Sequence, residues 1–158
     1  MKLLSASSTA AGLAAVLMAI GACDPPPPGA TVTHPCAYNA GLGDRACTPG
    51  VARVDVTQDS ISTTICIPGW PISQRLPIPA ATKRGVRSEY GVGSVIDHAI
   101  SIELGGDPVD IRNLQMQTSR DSHAKDRVEN RLHALVCNGA ITLAAAQALV
   151  LNWRSVPA

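Results

Sequence analysis

Phenylalanine is absent from this 158-residue chain, and it has only two Trp and two Tyr. A core built on aromatic stacking is therefore excluded, and the interior must come mainly from Val, Ile, Leu and Ala. No CxxC pair occurs, which argues against a zinc knuckle. There is no long internal repeat, so a solenoid or propeller is excluded. Charge of one sign is also lacking, since 13 Lys and Arg stand against 12 Asp and Glu. Such a balance does not describe an electrostatic sponge for nucleic acid. The charge is nevertheless uneven. Arg75, Lys83, Arg84 and Arg87 come together with no acid until Glu89. That run reads equally as a phosphate-facing patch or as a solvated face.

The one long apolar run lies at the start. Lys2 is followed by an uncharged stretch, alanine-rich from Ala10 to Ala22. It is short for a bilayer span and suits the apolar region of a signal peptide, here residues 1–22. Ordinary cleavage wants small residues at −1 and −3; Ala22 qualifies and Ile20 does not. Ile20-Gly21-Ala22-Cys23 resembles the lipobox of bacterial lipoproteins. The resemblance implies that Cys23 is lipidated and anchors the mature chain to a membrane outside the cytoplasm. Plain secretion is the alternative. Four consecutive prolines, Pro25 to Pro28, follow. They favour an extended, solvated segment, so 23–35 is read as a tether. The folded domain is then 36–158, long enough for one modest core.

With Cys23 assigned to lipid, Cys36, Cys47, Cys66 and Cys137 remain, an even number in an exported chain. Four cysteines allow three pairings, which sequence alone leaves open. The expected arrangement is a local clamp, Cys36–Cys47, and a long-range staple, Cys66–Cys137.

Short β-type stretches are expected around Val51–Val56 and Thr63–Ile67, with a proline-broken loop after them. Ile100, Ile102 and Leu104 alternate with Ser101 and Glu103, the period of a half-buried strand that would begin near Asp97 and His98. Gly105-Gly106-Asp107-Pro108 is a turn signal. Val128, Leu132, Leu135 and Val136 form one helical stripe, capped by Ser119 or Asp121 and ended by Asn138-Gly139. A second helix is expected from Leu143 to Trp153, capped by Thr142.

Two of the four histidines fall between Ser94 and Asp126, with an asparagine between them. Asp97-His98, the glycine pair, Asn113-Leu114-Gln115 and His123 resemble, in that order, the motif of the HNH (ββα-metal) endonucleases. The resemblance covers 94–126. It implies an α+β fold in which a small ββα-metal module carries flanking short strands and C-terminal helices, braced by disulfides. It further implies that His98 is the general base on water and that Asn113 orders the loop and orients that base. Asp97 and His123 would ligate one divalent ion, whether Mg, Mn, Ni or Zn. The interval from Asn113 to His123 is about one residue longer than in the family, which would turn Ser122 or Asp126 toward the ion instead. Arg120 and Lys125 are candidates for contact with the scissile phosphate. Glu103 is placed on the solvent face of its strand, with assistance to the ion as the alternative, His133 on a helix surface and His34 in the tether. The function expected is hydrolysis of nucleic-acid phosphodiester bonds outside the cytoplasm. The alternative is a non-catalytic envelope lipoprotein that binds a partner through the same scaffold. No nucleotide cofactor is expected, and the oligomeric state is left open.

Overall fold

The structure, a computed structural model, describes residues 35–157. The expected signal peptide, the lipidation site Cys23, His34 and all of the tether before Pro35 lie outside the described residues. Among the described residues no helix is long and apolar enough to cross a membrane.

The chain is mixed α and β. In order come α1 (Trp70–Ser73), α2 (Ala80–Tyr90), β1 (Val95–His98), β2 (Leu114–Gln117), α3 (Ser119–Cys137) and α4 (Leu143–Val150), with one short 3-10 helix before them, two between β1 and β2 and one after α4. β1 and β2 form a two-stranded antiparallel sheet in which Ile96 pairs with Met116, Asp97 with Gln115 and His98 with Leu114. Such a pair is too small to stand alone and needs covering. One face packs on α2, where Val86 and Tyr90 meet Leu114 and Met116. The larger core lies beside it, where Val128, Leu132 and Val136 of α3 pack with Leu143, Ala146 and Val150 of α4, Ile65, Ile100, Leu104 and Trp153.

Both C-terminal helices follow their caps. The side chain of Thr118 accepts from Asp121 N at the start of α3, one residue earlier than expected, and Asn138 ends it. Thr142 accepts from Ala145 N at the start of α4, as its sequence indicates. α4 stops at Val150, and Trp153 belongs to a 3-10 turn.

Three expectations are corrected. The stretch from Val51 to Ile67 forms no named strand. Ala52 makes a single bridge to Gly106, and Gln58–Thr63 is a 3-10 helix. The proposed strand over Ile100–Leu104 is also absent, and Ile102–Leu104 is a 3-10 turn. Asp97 and His98 therefore end a strand, β1, and do not begin one. The segment that carries Lys83, Arg84 and Arg87 is a helix, α2.

The disulfides join Cys36 to Cys47 and Cys66 to Cys137, with Cα–Cα distances of 5.9 and 5.5 Å. The first brackets 11 positions and the second 71. Loop-closure entropy grows with that separation, so replacing Cys66 and Cys137 by Ala should cost about 4 kcal/mol, against about 3 kcal/mol for the Cys36–Cys47 pair. Urea unfolding of the two double variants checks this. A smaller loss from the long-range pair contradicts it.

Candidate functional site

The β1–β2 connection runs from Ala99 to Asn113, and its shape depends on two glycines. Gly105 sits at φ +78°, where a side chain is strained, and a Cβ there would lie 2.6 Å from Val56 Cγ1. Gly106 has a different reason. A Cβ at that position would lie 1.8 Å from the Ile100 carbonyl oxygen, so the backbone passes where no side chain fits.

Asn113, fully buried, ties this loop together. Its Oδ1 accepts from Ile100 N at 2.9 Å and from Val51 N at 3.3 Å. Its Nδ2 donates to the carbonyls of Ile100 at 3.0 Å and Asp107 at 2.8 Å. The amide thus uses two donors and two acceptor sites on backbone alone. Its own carbonyl accepts from Ala99 N at 2.7 Å, next to His98. Asp107 continues the order, since its Oδ1 accepts from Val109 N and Asp110 N.

His98 receives the product of that order. Its Nε2 lies 3.0 Å from the carbonyl of Pro108. A carbonyl only accepts, so Nε2 carries the proton and Nδ1 is left as the basic nitrogen. Burial lowers the imidazole pKa from its ordinary value, while the Pro108 bond and the Asp97 charge pull the other way. His98 is therefore neutral at pH 7, the form a base requires.

His98 and Asp97 lie on the wall of a cleft of about 890 Å3. Glu103, Asp126, Glu129 and His133 line the same cleft, as does the proline-rich segment with Arg75. Glu103 thus faces the cleft, and burial raises its pKa. His133 is half-buried on the same cleft, not on the helix surface where it was expected. Of the four basic residues between 75 and 87, Arg75 alone lines this cleft.

Behind Asp97 lies a group that reading the sequence missed. Lys125, expected to reach outward to phosphate, is buried, with its ammonium 3.2 Å from Asp97 Oδ2 and bonded to Glu129 and to the His98 carbonyl. Burial works against its charge, but Asp97 and Glu129 together outweigh it and raise the pKa. Glu129 is pushed up to about 7, because burial outweighs the attraction of an ammonium it shares with Asp97. A Lys and a Glu four apart on a helix read as a surface pair, and only the packing of α3 against β1 shows otherwise.

His123 is exposed on α3 and does not line the cleft, whereas Asp126 does. Arg120 is likewise exposed. The group of His, Cys, Asp or Glu that could hold a metal ion, among the described residues, is Cys66, His133 and Cys137, with ligand atoms within 4.8 Å of one another. Its sulfurs are joined in the disulfide, and metal ligation needs thiolates. That group is therefore a metal site only after reduction. Comparison with protein-family models, with curated proteins and with solved structures gives no match.

Proposed function

We propose that the protein is a cation-dependent phosphodiesterase of the HNH (ββα-metal) type that cuts nucleic acid outside the cytoplasm, anchored through lipid at Cys23. The observation that carries this reading is the hold on His98. A neutral imidazole has one nitrogen fixed by a backbone carbonyl, the other left basic, and lies on a large cleft. The order β1, β2, α3 supports it, with His98 closing the first strand and Asn113 immediately before the second. The two disulfides support an oxidising compartment.

A divalent ion would be held by the oxygen donors of this cleft, which are spread more widely than the Cys66, His133 and Cys137 group. Asp97 Oδ2 faces the Lys125 ammonium as an ion pair, so Oδ1 of the same carboxylate would be the ligand. Glu103 and Asp126 share its cleft, and hard oxygen donors of this kind suit Mg2+ or Mn2+. Charge favours the same conclusion. The cleft carries Asp97, Glu103, Asp126 and Glu129 against Arg75, and such a surface repels a phosphodiester unless a cation offsets it. Asp97 and Asp126 would hold the ion, in place of the pair Asp97 and His123, because Asp126 lines the cleft and His123 does not. When bound, it would supply Lewis-acid stabilisation of charge on the phosphate and the leaving oxygen.

The chain's own groups supply the remainder. His98 accepts the proton of the attacking water at Nδ1. Asn113 keeps the loop in the shape that presents the Pro108 carbonyl to Nε2. Arg75 offers positive charge to the entering phosphate.

Calorimetric titration with Mn2+ tests the proposal. Wild type should bind the ion, Asp97→Asn should lose at least about tenfold in affinity, and His123→Ala should bind as wild type does. If wild type binds no cation, the non-catalytic lipoprotein becomes the better reading.

A further inference from the structure

We infer that Lys125 and Glu129 form a positioning pair that holds Asp97 and His98 against α3, a role that rests on the phosphodiesterase reading above. Lys125 is 0% exposed. Its ammonium has three donors, and three acceptors surround it: the His98 carbonyl at 2.6 Å, Asp97 Oδ2 at 3.2 Å and Glu129 Oε1. Two of the three belong to the adjacent residues that end β1, those given the cation and the proton. The third lies one turn further along α3. The ammonium thus ties the end of the strand to the helix.

His98 is then held from several directions. The Pro108 carbonyl fixes the ring, Lys125 fixes the His98 carbonyl, and the Asn113 carbonyl fixes Ala99 N. Removal of Lys125 leaves the Asp97 carboxylate without its ion-pair partner and the His98 carbonyl without this donor. Stability does not account for the pair. Taking two charges out of water is expensive, and an apolar pair of similar volume is often as stable or more so. What an apolar pair cannot do is hold a carbonyl and a carboxylate at a set distance. Lys125 has no access to the cleft, so it acts through Asp97 and His98 and not on substrate.

The double substitution Lys125→Met with Glu129→Leu separates the two roles, because it removes both charges and keeps the packing. With Mn2+ and bis(p-nitrophenyl) phosphate or plasmid DNA, kcat should fall about ten- to a hundredfold through misplacement of the reacting groups. KM should change little, while the melting temperature should fall, because the buried Asp97 carboxylate and the His98 carbonyl lose their donor, so rates are compared well below the melting temperature of the variant. A folded double variant with wild-type kcat overturns the inference. If the double variant does not fold, Glu129→Gln carries the test, since it keeps the shape and weakens the hold on the ammonium. A lowered kcat at unchanged melting temperature supports the role, and an unchanged kcat overturns it. Wild type that hydrolyses no phosphodiester overturns the phosphodiesterase reading and this role together. Active wild type with an equally active folded double variant overturns this role alone.

Discussion

Asn113→Ala should both destabilise the fold and remove activity. The substitution deletes four hydrogen bonds at once. Ile100 N and the Ile100 carbonyl lie in the interior and lose their partner there. Each buried group left unsatisfied costs about 1–3 kcal/mol. A loss of at least about 3 kcal/mol is therefore expected, a large part of the ~5–15 kcal/mol that holds a domain together. Since 1 kcal/mol corresponds to roughly 4 °C for a domain of this size, the melting temperature should drop by more than about 10 °C. Activity fails for a related reason, because the loop no longer brings the Pro108 carbonyl to His98. Asn113→Asp should not rescue either property. Its carboxylate can accept from Val51 N and Ile100 N but has no donor for the Ile100 and Asp107 carbonyls. Thermal melts with parallel rate measurements check both effects. A variant that melts within a degree or two of wild type contradicts the role given to Asn113.

His98→Ala should show the opposite balance, a large loss of rate with little loss of stability. A general base contributes about 10²–10⁴-fold, and kcat should fall by that much. Among the described hydrogen bonds of its side chain, only the one to Pro108 is lost. The pH dependence follows from the same residue. The base works as the neutral imidazole, and burial lowers its pKa below the ordinary value. Activity should therefore be full at neutral pH and fall only as the pH drops through that lowered pKa. The acid limb of the rate profile should have its midpoint below 6.5, the ordinary value for His. A midpoint above it would mean that His98 is charged in the resting site, which contradicts its assignment as base. The sign for stability agrees. Burial of the neutral ring stabilises the fold above the ordinary pKa, and that contribution is lost as the pH falls through the lowered one.

Much of this arrangement was legible before folding, for identifiable reasons. Val128, Leu132 and Val136 repeat at helical spacing because they face one core, so α3 declared itself. Thr142 announced α4 because a cap is a local device. His98 and Asn113 stood out because their order along the chain is unusual for a loop. Other parts were not legible. Ile100, Ile102 and Leu104 alternate as a strand would, yet Ser101 accepts from both Leu104 N and Gly106 N and closes a tight turn. α2 buries only Val86 and Tyr90 and carries Gly85 inside it, so its apolar pattern is thin. Val54 falls in a stretch of β-type composition and is 96% exposed. The Lys125–Glu129 pair was hidden for a deeper reason. Charged residues four apart belong on a helix surface unless a second element covers them, and the covering strand is fixed only by tertiary packing. Cys36–Cys47 and Cys66–Cys137, by contrast, pair as expected.

The most direct test of the account is cleavage itself. Purified, oxidised protein should be incubated with supercoiled plasmid and with single-stranded RNA, with Mg2+, Mn2+, Ni2+ or Zn2+ and with chelator, beside His98→Ala at the same concentration. The account predicts that wild type cuts at least one of the two polymers with a divalent cation and that chelator stops it. It also predicts that the folded His98→Ala variant is slower by at least about a hundredfold. Wild type that leaves both polymers intact with every cation, or a His98→Ala variant that cuts at the wild-type rate, contradicts it.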